Sequence, residues 1–112
     1  MTASQSLAAW LELGRAQTEA LTPYLDPAHN LRNILNVVRE IEARVEPDPV
    51  VQAALSIVAD AVDDLRARIE VRSFVTSVEG DKDAVLRAFD QLEMVLQTAR
   101  LRSTLSLSHL ST

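Results

Sequence analysis

The sequence predicts an all-α fold, an antiparallel bundle of about four helices around a central helical hairpin, completed by pairing with a second copy. Three observations predict it. Apolar residues recur at alternating spacings of three and four, the repeat of one helix face. Only two glycines and four prolines occur in 112 residues, which favours long regular elements over turn-rich β architecture. Asp-Pro pairs at Asp26-Pro27 and Asp48-Pro49 mark helix starts, and the break before the second is so short that the flanking helices must run antiparallel.

The first helix is expected over about 4–21. Leu7, Leu11, Gly14, Thr18 and Leu21 form one line with Trp10 and Leu13 beside it, a somewhat weak seam. The second, 27–45, takes Asp26 as N-cap and Pro27 as its first residue, and carries Leu31, Ile34 with Leu35, Val38, Ile41 and Val45. The third, 49–76, has the clearest pattern, with Val51, Leu55, Val58, Val62, Leu65 and Ile69 spaced four-three-four-three-four. Its end is less regular, because the stretch from Val75 to Val78 is β-branched, and Gly80 reads as a C-cap or linker residue.

Asp81 is expected to cap the fourth helix, 81–102, with Val85, Phe89, Leu92, Leu96 and Ala99 in its seam. From 103 to 112 leucines alternate with serines, which reads as a short strand or a disordered tail. Residues 1–102 form one domain without an internal repeat. A core this small gains from dimerisation, because two amphipathic hairpins cover each other's seams.

Composition narrows the function classes. Apolar residues are 47% of the chain and aromatics 4%, so aliphatic side chains do the packing. Trp10, Tyr24, Phe74 and Phe89 read as core or interface fillers. The net charge of −5 repels phosphate backbones, and the basic residues are dispersed among acids, so nucleic acid is not an expected partner. The absence of cysteine excludes disulfides and thiolate chemistry. The N-terminus has no signal-peptide pattern, and no apolar run approaches the roughly 20 residues needed to cross a bilayer, so a cytoplasmic protein without membrane contact is expected.

Most catalytic templates are missing. Gly14 and Gly80 stand alone, so there is no phosphate-cradling loop. The histidines, His29 and His109, form no Glu-x-x-His or His-Glu-x-x-His motif, and neither metal nor cofactor is expected. The serines lack a placed base. Asp60, Asp63 and Asp64 read as a solvated acidic face, and His109 lies in the tail.

One constellation remains, between Asp26 and Leu35. On the wheel of the second helix, His29, Asn33, Asn36 and Glu40 follow a line of their own beside the core line of Leu31, Leu35 and Val38. An exposed imidazole in a first helical turn, one turn before a carboxamide, is the setting an in-line phosphoryl acceptor needs. The helix N-terminus welcomes an arriving anion.

The run His29-Asn30-Leu31-Arg32-Asn33-Ile34-Leu35 resembles the H-box of the dimerisation and histidine-phosphotransfer domain of sensor histidine kinases. Val50 to Val75, with Ala61-Val62-Asp63-Asp64-Leu65-Arg66, looks like that domain's second helix, so the resemblance covers about 28–75. It implies a dimeric helical hairpin, His29 as phosphoacceptor and Asn33 as the residue that orients a hydrolytic water. Two departures matter. Asn30 stands where the family usually carries an acid as the base for autophosphorylation, and an amide cannot accept that proton. The chain also has no ATP-binding domain, so it is not expected to act as a kinase by itself.

The leading expectation is therefore a non-catalytic interaction or regulatory protein, a degenerate relative of the kinase module. Its face of Asn30, Arg32, Asn36 and Glu40 would meet a response-regulator receiver or a kinase. The alternatives are a phosphorelay protein with His29 as acceptor, and a bundle that binds a small ligand.

Overall fold

The computed structural model describes the backbone of residues 3–22, 26–71 and 78–110, and the side chains of 7–22, 26–70 and 78–99. The chain is all-α, with four helices: α1 (Ala3–Ala20), α2 (Pro27–Arg44), α3 (Pro49–Val71) and α4 (Glu79–Leu110). The three-four periodicity thus gives the right element type throughout. No described helix is long and apolar enough to cross a membrane.

The helix starts differ in how they are made. Asp48 caps α3 through its carboxylate, which accepts from the backbone N–H of Val50 at 2.8 Å and of Val51 at 3.4 Å. Asp26 does not cap α2 in this way. Its backbone is left-handed (φ 43°, ψ 60°), its side chain makes no cap hydrogen bond, and its carbonyl instead accepts from His29 N at 3.2 Å. Pro27 supplies a preset φ at a position where no N–H is needed.

Gly80 and Asp81 also differ from expectation. Both lie in the first turn of α4, where Glu79 and Asp81 place negative charge at the positive end of the helix. The Asp81 carboxylate meets Arg68 of α3 at 3.0 Å. At its other end α4 continues as helix to Leu110, through the segment whose Leu-Ser alternation reads as a short strand or disordered tail. Leucine and serine at alternate positions also populate a helix, so the alternation alone does not select a strand. The expected end of the third helix at 72–76, with Phe74, lies outside the described residues, as do Tyr24 and the side chain of His109.

Packing runs α1 to α2, α2 to α3, α3 to α4 and α4 back to α1. Trp10 meets Arg44 while Gln17 meets Asn30, so α1 and α2 run antiparallel. Gly14 meets Phe89 while Glu19 meets Lys82, so α1 and α4 do as well. The core draws on all four helices: Leu11 and Leu21; Leu31, Ile34, Val38 and Ile41; Leu55, Val58 and Leu65; Val85, Phe89 and Leu92. The hairpin seams expected to await a second copy are therefore covered by α1 and α4 of the same chain.

Three contacts fix how α1 lies. Thr18 is fully buried and its hydroxyl donates to Gly14 O at 2.8 Å, which satisfies it inside the core. Lys82, also buried, reaches from α4 and donates to Glu19 O and Leu21 O at 3.0 and 2.9 Å, capping the carbonyl end of α1 with a cation. Arg15 bridges to Asp90 and Glu93 of α4 at 3.0 and 3.1 Å.

Candidate functional site

The candidate residues sit on the first three turns of α2, beside α1 on one flank and α3 on the other. Pro27 and Ala28 start the helix, and buried Leu31 and Ile34 anchor it to the core. His29, placed between these anchors on the wheel, is exposed. Its Nε2 lies 3.3 Å from Asn33 Nδ2, one turn on. The pairing of imidazole and carboxamide read from the sequence spacing is therefore formed.

The remaining candidates divide between two flanks. Asn30 turns toward α1, where its amide nitrogen donates to Gln17 Oε1 at 3.1 Å and to the Gln17 backbone carbonyl at 3.4 Å. Asn33 is half-buried on the same flank and donates to Gln17 Oε1 at 3.3 Å. Arg32 is exposed on the opposite flank. There it joins Pro27, Ala28, Leu31, Leu35, Arg66, Ile69 and Glu70 in lining an open groove of about 340 Å³ between α2 and α3. Asn36 is exposed, and Glu40 pairs with Arg44, whose guanidinium lies 5.1 Å from the Trp10 ring centroid.

The line His29, Asn33, Asn36, Glu40 thus follows the rim of the α1–α2 contact, while Arg32 belongs to the α2–α3 groove.

Gln17 is the site residue that the sequence does not single out. It precedes the buried Thr18 on α1, at the edge of a seam, and only the register of α1 on α2 brings it to the H-box-like run. Lys82 is missed for a related reason. A lysine in a first helical turn reads as solvated until the end of α1 is seen to lie against it.

The chemistry around the imidazole is that of amides. The contacts reach an acceptor, Gln17 Oε1, and two amide donors, and none of these can take a proton from a nucleophile. Asn30, at the position of the expected acid, has its amide nitrogen engaged with Gln17 and supplies no base. Both protons of the Asn33 amide are directed, one to Gln17 and one to His29, which leaves Oδ1 as the group able to orient a water. Among the described residues no three His, Asp or Glu side chains gather as a metal-binding group. Asp60, Asp63 and Asp64 are exposed, and Asp63 pairs with Arg66 at 3.0 Å.

No protein-family model matches this chain, and no curated protein or solved structure matches it either.

Proposed function

We propose that this chain is a non-catalytic helical interaction module of the cytoplasm, a four-helix bundle and a degenerate relative of the histidine-kinase phosphotransfer module. It presents the first half of α2 to a signalling protein, a receiver domain or a kinase. The observation that carries the reading is a mixed surface at one end of the molecule. Exposed His29 and Arg32 flank an open groove floored by Leu31, Leu35 and Ile69 and edged by Arg66 and Glu70. An apolar floor with a charged rim is the anatomy of a protein-docking surface.

Internal coverage of the hairpin seams supports a module that is complete in one chain. A homodimer assembled as in the kinase module, from two α2–α3 hairpins, would have to displace α1 and α4.

Calorimetric titration with receiver domains tests the proposal. Arg32→Glu should weaken binding by about tenfold or more, the scale of a lost charge contact at an interface. His29→Ala should bind within about twofold of wild type if the surface only docks. Binding unaffected by Arg32→Glu would refute the placement of the surface.

A second reading is favoured by one observation, the exposure of the His29 ring with a carboxamide on Nε2. In it His29 accepts a phosphoryl group from a receiver's aspartyl phosphate. The ring lone pair forms the N–P bond as the P–O bond breaks, and that electron pair leaves on the carboxylate. Incubation with a phosphorylated receiver would then leave acid-labile phosphate on the wild type and none on His29→Ala. Equal labelling of the two proteins would refute this reading.

A further inference from the structure

We infer that Gln17 of α1 is a positioning residue that sets the ring tautomer of His29, placing the neutral ring's lone pair on Nε2. The argument starts at an atom that can only accept, the backbone carbonyl of Gln17. Asn30 lies 3.4 Å from it through one terminal atom of its amide, and that atom must therefore be the NH2 nitrogen. The same nitrogen lies 3.1 Å from the end of the Gln17 side chain, which must then present its oxygen. That oxygen lies 3.3 Å from Asn33, which must also present its nitrogen. Asn33 Nδ2 is 3.3 Å from His29 Nε2, and an NH2 group only donates. Nε2 is therefore the acceptor, and the proton of the neutral ring resides on Nδ1.

Direction is handed from a backbone carbonyl through three side chains to the imidazole. The opposite polarity, in which His29 donates from Nε2, would put the Asn30 carbonyl oxygen against the Gln17 backbone oxygen. Gln17 holds the chain together, because its single side-chain oxygen accepts from both asparagines.

The inference deepens the reading of His29 as the recognition or acceptor group and rests on that reading for its consequence. The tautomer itself can be measured without any partner. Long-range ¹H–¹⁵N correlation spectra at a pH where the ring is neutral distinguish the two forms directly. Wild type should show mainly Nδ1–H, against the preference of a free histidine side chain for Nε2–H. Gln17→Ala should lower the Nδ1–H to Nε2–H ratio by about fivefold, the worth of one neutral hydrogen bond.

Gln17→Glu, whose carboxylate still accepts from both amides, should keep the wild-type ratio. Asn30→Asp removes the donor that starts the chain and should lower the ratio with no change on α1. It also reads the same direction if Gln17→Ala proves too unstable to study. A wild-type ring that is mainly Nε2–H overturns the inference. So does a ratio in either folded variant within about twofold of wild type. A wild-type Nδ1–H ring that responds to Gln17→Ala, in a chain that neither binds nor accepts phosphate from receivers, would uphold the inference and remove the proposed function.

Discussion

Gly14→Ala places a methyl group where α1 meets the Phe89 ring. A Cβ on Gly14 would stand 2.5 Å from Phe89 Cζ and 2.8 Å from Cε1. Non-bonded carbons reach their optimum at about 3.5–4.0 Å, so helix or ring would have to retreat by about 1 Å. The ring has little room to do so, since Phe89 is 0% exposed and protein interiors are packed near crystal density. Overpacking of this kind costs about 1–3 kcal/mol. Helix propensity acts in the other direction, because alanine is favoured over glycine inside a helix by about 1 kcal/mol.

The net expectation is a loss of about 1–2 kcal/mol, which lowers the Tm by about 4–8 °C for a domain of this size. Urea denaturation followed by far-ultraviolet circular dichroism gives the free energies. Phe89→Leu makes a control that closes the argument. Alone it is a large-to-small change and destabilises. Combined with Gly14→Ala it opens room for the new methyl, so the double variant should be more stable than the sum of the singles by about 1 kcal/mol. A neutral or stabilising Gly14→Ala, additive with Phe89→Leu, would refute the close approach.

The other predictions concern the fastenings of α1 and the two helix starts. Lys82→Met leaves Glu19 O and Leu21 O without their charged donor and should cost about 2–3 kcal/mol in a thermal melt. An unchanged Tm would show that water replaces the ammonium at no loss. Arg15→Ala removes the bridge to Asp90 and Glu93 and should cost about 1 kcal/mol at low ionic strength, less as salt is added. Burial works against the Arg15 cation, but hydrogen bonds with Glu93 and Asp90 outweigh it and raise its pKa. A raised pKa means that its stabilisation is present at every pH below the strongly alkaline range and is lost only as pH rises through that range. The Arg15→Ala difference should then be flat between about pH 6 and 9, and a slope there would contradict the assignment. Asp48→Ala should cost about 1 kcal/mol through the lost cap. Asp26→Gly loses no cap and relieves a left-handed backbone, so it should be neutral or stabilising by up to about 1 kcal/mol.

The helices were legible because burial writes the three-four repeat directly into the residues. Val51, Leu55, Val58, Val62 and Leu65 are all buried in α3, and Leu31, Ile34, Val38 and Ile41 in α2. Val37 is buried as well, since a helix covered on both flanks needs a wider stripe than a hairpin seam. What the repeat does not encode is which seam covers which. The weak line of α1 gains its meaning only from Phe89, 75 positions after Gly14, whose ring occupies the space the missing side chain leaves. Asp26 and Asp48 show the same limit at short range. Both precede proline at a helix start, yet only Asp48 caps, because capping depends on backbone dihedrals that the Asp-Pro pair does not fix.

The same limit governs the candidate site. The run from His29 to Leu35 supplies the imidazole and the carboxamide, but the residue that orders them lies on α1, outside the stretch that resembles the kinase module. An acid after the histidine could take a proton or accept a hydrogen bond. Asn30 can do neither through its nitrogen, and its donation to Gln17 starts the chain of directions that ends on Nε2. Amides orient a ring without removing its proton. On the proposed reading this separates two kinds of phosphoryl donor. Transfer from ATP needs nucleotide-binding and metal-binding parts that the described site does not assemble. An aspartyl phosphate brings an activated phosphoryl group and asks only for a lone pair held in line with it. The substitution that weakens the case for a kinase is therefore the one that leaves His29 best suited to meet a phosphorylated partner.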